Sequence, residues 1–82
     1  MIRKKILIPI YNDWSSLEIL LNNLDEKLKQ DDYEIIIVND NSSQKKNFSF
    51  NKFKKIKNIK VLNLLKNLGS QGCIAVGLKF LS

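Results

Sequence analysis

Hydrophobic residues occur in runs that predict strands alternating with helices. Residues 4–10 (KKILIPI) form a short apolar run that Pro9 is placed to end, and residues 33–38 (YEIIIV) form a second run with four β-branched residues in succession. Continuous runs, rather than alternating ones, are typical of strands buried on both faces of a parallel sheet. Residues 58–64 (NIKVLNL) alternate well enough to predict a third strand.

Two further segments have the spacing of helices. Five leucines at i, i+3, i+4, i+7 and i+11 predict an amphipathic helix of about 14 residues: Leu17, Leu20, Leu21, Leu24 and Leu28. Ser15 and Glu18 have the spacing of a capping box at its start, and residues 30–32 end it. A last helix is predicted after the turn at Gly69, with Ser70 as its cap. Its apolar residues are Cys73, Ile74, Val76, Leu78 and Leu81.

The order of these elements predicts the fold class. Residues 44–58 are poorly patterned and predict at most a short, irregular helix containing Phe48, Phe50, Phe53 and Ile56. Strands that alternate with helices imply right-handed crossovers in an α/β, Rossmann-like parallel sheet of about three strands with flanking helices. Ligands of such sheets bind outside the carboxyl ends of the strands. That rule selects residues 11–13, 39–42 and 66–69.

Composition restricts the chemistry available to this chain. Its 82 residues (9.5 kDa) are enough for one domain, spanning residues 1–82. With no histidine and only Cys73, the chain has neither a zinc site of the usual kind nor a Ser–His or Cys–His catalytic pair. The longest uncharged apolar run, residues 6–10, is far shorter than the ~20 residues of a membrane span. These features predict a soluble, reduced, cytoplasmic domain.

Charge is distributed unevenly along the chain. Residues 1–40 contain all eight acids and five bases, a net −3, whereas residues 41–82 contain nine lysines and no acid, a net +9; together they make the overall +6. A basic half of this kind is expected of a nucleic-acid partner. We favour a lysine-rich compositional bias, because this half has no arginine and few stacking aromatics. A small basic nucleic-acid-binding module is therefore the alternative hypothesis for function.

A few polar and aromatic residues at the predicted strand ends are candidates for chemistry. The Asp40 carboxylate, at the end of the most apolar strand, is suited to accept hydrogen bonds from a base N–H or a ribose hydroxyl, or else to bond its own turn. Asp13 either faces the same crevice or complements a helix dipole, which we favour. Tyr11 either stacks on a base or caps the sheet end. Trp14 and Cys73 are interpreted as packing residues.

Three segments, in the right order and spacing, carry a family resemblance. ILIPIYND (residues 6–13), YEIIIVNDNSS (33–43) and VLNLLKNLGSQGCIAVGL (61–78) look like the opening of family 2 glycosyltransferases of GT-A fold. The likeness is closest to the branch that includes dolichyl- and polyprenyl-phosphate sugar synthases, and it excludes the loop at about 45–57. It implies a domain that binds a UDP- or GDP-linked sugar, whose complete homologue transfers that sugar to an acceptor.

The resemblance also implies site residues. In the family, the P-x-Y-N-[ED] segment and the acid of the V-[DN]-D-x-S turn bind the nucleotide. The matching nucleotide-binding positions are Pro9, Tyr11, Asn12, Asp13 and Asp40. The K-N-x-G turn at Lys66, Asn67 and Gly69 lies nearby.

Two departures from the family pattern limit what the resemblance implies. The first aspartate of the usual pair is Asn39 here, and the chain stops at Ser82 before the metal-binding D-x-D and the catalytic base. We therefore expect no catalytic residue, metal ligand or cofactor in this chain. The resemblance implies that Mg²⁺ or Mn²⁺ belongs to complete homologues, some of them membrane-associated. The family's strand order 3-2-1-4 leaves residues 5–10 as an open edge, a predicted site for pairing with a C-terminal part or a partner chain.

Overall fold

The chain forms a three-layer α/β domain. The computed structural model describes residues 4–27, 33–56 and 58–81. Its elements are β1 (Lys4–Ile10), α1 (Trp14–Lys27), β2 (Tyr33–Asn39), a 3₁₀ turn (Phe50–Lys52), β3 (Ile59–Asn63) and α2 (Gly69–Leu81). The three strands are parallel and lie in the order β1-β2-β3. The predicted fold class is therefore confirmed. Neither described helix is long and apolar enough to cross a membrane.

The central strand β2 is buried on both faces, as its continuous apolar sequence predicts. Ile35, Ile36, Ile37 and Val38 are all 0% exposed. Alternate residues of a strand point to opposite faces, so Ile35 and Ile37 pack with α1 in the main core. The other two residues face the layer that contains α2, which packs on β1 and β2.

The first helix begins earlier than the capping box predicts. It starts at Trp14, and the carbonyl of Asp13 accepts the N–H of Leu17 at 2.9 Å. Ser15 therefore lies inside the first turn, and Glu18 forms an ion pair with Lys52 instead of reaching back to the cap. The predicted capping box is wrong because tertiary contacts of the preceding loop, described below, fix where the helix begins.

The leucine stripe of α1 is only partly buried. Leu17 and Leu21 are buried in the core and Leu24 packs against it, but Leu20 is 41% exposed. Leu20 borders an open groove beside β1, the edge strand of the sheet formed by the described residues. Leu28 and the predicted helix end at 30–32 lie outside the described residues.

The last helix shows the same division between buried and exposed positions. Cys73 is 1% exposed, whereas Ile74 and Leu78 are 42% and 56% exposed. Gly77 faces β1 so closely that a Cβ there would lie 2.8 Å from Cδ2 of Leu7. Gly77 therefore permits close packing of helix on strand. The side chain of Leu81 lies outside the described part of the structure.

Strand β1 is an edge strand within the described structure. It pairs with β2 alone and continues one residue beyond Pro9, which was predicted to end it. The carbonyl of Ile10 accepts the N–H of Asp40 at 2.8 Å, so the backbone of Ile10 faces β2. By alternation, the nitrogen of Pro9 faces the open edge, where proline removes no ladder hydrogen bond.

The poorly patterned segment 44–56 is held by side chains that are distant in sequence. Phe53 and Ile56 are buried in the core, and the only helical turn in the segment is 50–52. The Asp25 carboxylate on α1 accepts three consecutive N–H groups, from Lys54 at 3.2 Å, Lys55 at 2.7 Å and Ile56 at 2.9 Å. A carboxylate of α1 thus fixes the approach to β3.

These contacts predict that Asp25→Asn destabilises the fold by about 1 kcal/mol, the usual cost of losing a capping acceptor. Partial burial opposes ionisation, but the three N–H groups and the charge of Lys55 outweigh it and lower the pKa of Asp25 below 3.8. Because the folded-state pKa is depressed, this stabilisation is fully present well above the unfolded-state pKa and is lost as the pH falls through the folded-state pKa.

The measurement is urea unfolding at pH 7 and across pH 2–5, with Glu26→Gln as the matched control on the exposed neighbour. Equal stability of the Asp25 variant and the control at pH 7 would contradict this role of Asp25.

Candidate functional site

The carboxyl ends of the three strands lie side by side. Ile10 is in register with Asn39, and Asn39 with Asn63. The loops that follow these residues therefore meet at one edge of the sheet. All three segments selected from the sequence meet here. Segment 39–42 makes hydrogen bonds both to segment 66–69 and to segment 11–13.

The loop after β1 is clamped to the loop after β2 by Asn12. Its backbone N–H donates to the Ser42 hydroxyl at 2.9 Å, its Nδ2 donates to the Ser43 hydroxyl at 3.1 Å, and its Oδ1 accepts the Gln44 N–H at 2.9 Å. These bonds hold Asn12 at a φ of 59°, in the left-handed region that asparagine tolerates best among non-glycine residues. The clamp sets the position from which α1 begins.

The indole of Trp14 strengthens the same junction. It is 7% exposed, and its Nε1 donates to the Gln44 carbonyl at 2.8 Å. The interpretation of Trp14 as a packing residue is therefore confirmed.

Asp40 connects the tip of β2 to the beginning of α2. The residue is 5% exposed; its Oδ1 accepts the Leu68 N–H at 2.6 Å and its Oδ2 accepts the Gly69 N–H at 2.9 Å. The first N–H groups of a helix lack intrahelical partners, and a carboxylate there is also favoured by the helix dipole. The cap of α2 is thus supplied by Asp40, and the prediction that Ser70 caps this helix is wrong.

Two residues, Asn67 and Gly69, shape the turn before α2 so that it reaches Asp40. Nδ2 of Asn67 donates to the Asp40 carbonyl at 3.0 Å. Gly69 has a φ of +76°, which strains any residue with a Cβ. The sequence N-x-G therefore brings two backbone N–H groups to one carboxylate.

Asp40 and Tyr11 line one small cavity at the sheet end. It has a volume of about 80 Å³, and its lining includes Pro9, Tyr11, Asp13, Asp40, Ser70 and Cys73. Tyr11 is 47% exposed, so about half of its surface is accessible to a ligand. Four of the five predicted site residues thus lie on one cavity. Asn12 is the exception, since the neighbouring loop occupies its polar groups.

The thiol of Cys73 lies beneath this cavity in contact with Asp40. Burial, together with the charge of the Asp40 carboxylate and a hydrogen bond to it, raises the pKa of Cys73. At 1% exposure this thiol is kept protonated and inaccessible. Its interpretation as a packing residue is confirmed.

The Asn39–Asn63 pair was not found by sequence reasoning. Asn39 Oδ1 accepts the Ser42 N–H at 3.0 Å, which fixes the orientation of its amide, and its Nδ2 donates to Asn63 Oδ1 at 3.0 Å. The only signal in the sequence was that the third strand, like the second, ends in asparagine. An aspartate at position 39 has no hydrogen to donate to this pair.

The acids of the cavity do not form a metal centre. The described residues contain no group of three or more potential metal ligands. The carboxylate of Asp40 is bonded to backbone N–H groups on both oxygens, and Asp13 is its only acidic companion on the cavity. This pair therefore does not fit a divalent cation.

Lysines of the basic half are partly engaged within the described structure. Lys60 Nζ is 3.1 Å from the buried carboxylate of Glu34, and Lys52 pairs with Glu18. Nζ of Lys46 lies 3.9 Å from the ring centroid of Phe50. These contacts favour the compositional interpretation of the charge, and the nucleic-acid alternative stays a prediction.

The fold and the cavity define a class of protein, a parallel α/β domain with its candidate site at the carboxyl ends of the strands. The family model for glycosyl transferase family 2 matches residues 5–81. The chain therefore belongs to glycosyl transferase family 2. Comparisons with curated proteins and with solved structures return no match.

The capping geometry predicts that Asp40→Ala destabilises the fold by about 2–3 kcal/mol, because two N–H groups at the start of α2 lose a charged acceptor. Asp13→Ala is the matched control: it removes an acid from the same cavity without touching α2, at an expected cost below about 1 kcal/mol. Chemical denaturation followed by circular dichroism measures both. A loss no larger for Asp40 than for Asp13 would show that the cap is unimportant.

Proposed function

We propose that this domain binds the nucleotide of a nucleotide-sugar donor, as the donor-binding portion of a glycosyltransferase. One observation carries the proposal: Asp40 and Tyr11 line the same cavity at the carboxyl ends of β1 and β2. This is where ligands of open α/β sheets bind, and membership of glycosyl transferase family 2 supports a sugar-transfer role for the complete enzyme.

Asp40 is suited to recognise the nucleoside even though it caps α2. Each carboxylate oxygen has about two acceptor sites, and each oxygen accepts one N–H from the turn before α2. The Cys73 thiol donates to a third site, and the fourth is left to accept a base N–H or a ribose hydroxyl. Because the cap fixes the carboxylate, little conformational entropy is lost when a ligand binds.

The rest of the nucleotide lies outside the cavity. Ligand pockets typically measure ~300–1,000 Å³, whereas this cavity measures about 80 Å³. Only one edge of the base or ribose enters it, and the ring of Tyr11 provides a stacking surface beside it. Pro9 and Asp13 complete the wall, and Asn12 acts by holding the loop in place.

The chain contributes binding and orientation to the reaction. In the complete enzyme, a hydroxyl or phosphate oxygen of the acceptor attacks the anomeric carbon, and the bond to the nucleoside diphosphate breaks. The proposed donor is a UDP- or GDP-linked sugar, and the proposed acceptor is a polyprenyl phosphate. We assign no residue of this chain as the catalytic base. The open edge of β1 is the proposed position for a further strand of the complete assembly.

The experiment is calorimetry of UDP, GDP and their sugar derivatives with the folded chain. We expect Tyr11→Ala to weaken binding about tenfold, because base–aromatic stacking is worth ~1–3 kcal/mol. Tyr33→Ala, at the opposite end of the sheet, is the matched control and leaves affinity unchanged.

Asp40→Asn is expected to weaken binding further by removing an acceptor and its charge. Absence of binding to every nucleotide tested, or affinities that ignore both Tyr11 and Asp40, would refute the proposed function.

A further inference from the structure

A second and larger cavity lies on the other side of the tip of β2. It has a volume of about 360 Å³, within the range of small-molecule sites. Trp14, Phe50 and Val61 form apolar parts of its wall, and Lys45 and Lys46 also line it. Because Asn39 and Asp40 are consecutive strand-end residues, their side chains point to opposite faces, and each lines a different cavity.

The two cavities differ in the sign of their charge. The smaller one is lined by Asp13 and Asp40 and by no base. The larger one is lined by Lys45 and Lys46 and by no acid. These statements cover the described residues, which include every acid of the chain except Asp31 and Asp32.

The amide pair at the strand ends adds neutral donors to the larger cavity. Ser42 fixes the orientation of the Asn39 amide, which in turn donates to Asn63 Oδ1. The Asn63 amide is thereby oriented with its Nδ2 hydrogens away from this bond, and within the described part of the chain they meet no acceptor. The Asn39–Asn63 amide pair, two lysines and several apolar side chains therefore line one open cavity.

We propose that this cavity binds a small molecule through an anionic group, a phosphate or a carboxylate. Lysine ammonium groups and amide N–H groups are the donors such groups need, and the indole and phenyl walls accommodate an apolar portion of the same molecule. Asn39 decides the charge of the site. An aspartate at this position would place a carboxylate on the wall and leave Asn63 without its donor.

The chain contains its own probe for this site. Trp14 is the only tryptophan in the sequence and lines the cavity. Its intrinsic fluorescence is therefore titrated with pyrophosphate and, in a separate arm, with succinate, at constant ionic strength set by potassium chloride. The expected result is a saturable change with at least one of the two anions, and the arm that saturates identifies the phosphate or the carboxylate as the preferred group.

Charge variants locate the binding. Lys45→Gln combined with Lys46→Gln is expected to weaken binding about tenfold or more, as loss of charge-assisted contacts does. Lys54→Gln combined with Lys79→Gln removes the same charge from exposed positions outside the cavity and is expected to change affinity less than about twofold, because exposed charges are screened. Asn39→Asp is expected to weaken binding as the cavity double variant does.

Circular dichroism checks that each variant is folded. If Asn39→Asp does not fold, the two double-lysine variants still test the site. No saturable change with either anion, or an equal loss in the two double-lysine variants, would overturn the site. The titration uses no nucleotide and leaves Tyr11 and Asp40 unaltered, so its outcome is independent of the proposed donor site.

Discussion

The carboxylate of Asp40, bonded to the first N–H groups of α2, is the interaction on which the arrangement of this domain depends. α2 covers the second face of β1 and β2, and the chain reaches it through a turn that meets Asp40 with Leu68 and Gly69. A buried carboxylate is costly unless it is fully hydrogen-bonded. The same bonds that hold the helix therefore also hold an acidic group at the edge of the sheet, in a fixed orientation.

The strands and their order followed from the sequence because each strand carries its own signal. The run of β-branched residues in β2 indicates burial on both faces, and Ile35–Val38 are fully buried. The first residues of the helices could not be predicted from the sequence, because the groups that bond to the helix starts are distant along the chain. Asp40 caps α2 from 28 and 29 residues away, and local motifs such as Ser15 and Glu18 gave the wrong start for α1.

The candidate site was predictable in its position but less so in its internal bonding. The rule for parallel sheets selected the loops that meet at the strand ends, and Tyr11 and Asp40 lie there together. The pattern could not show that the polar groups of Asn12 are taken by Ser42, Ser43 and Gln44. Such a clamp depends on the distance between two loops in the folded chain, and the sequence of neither loop indicates that distance.

Alternation along one strand then separates two chemical environments. Asp40 faces the small acidic cavity that we assign to the donor nucleotide, and Asn39 faces the larger basic cavity. The end of β2 thus has the Asp40 carboxylate, an acceptor, on one face and the amides of Asn39 and Asn63, which carry donors, on the other. Because residue 39 is an asparagine, no carboxylate lines the larger cavity within the described structure.

The most direct test of the account is an amide NMR titration of the isotopically labelled chain with UDP and GDP. The Leu68 and Gly69 N–H groups are bonded to Asp40 and report any further hydrogen bond that its carboxylate accepts. We predict that their resonances shift together with those of Tyr11 as the nucleotide saturates. Shifts confined to residues 44–56, with Leu68 and Gly69 unmoved, would contradict the account.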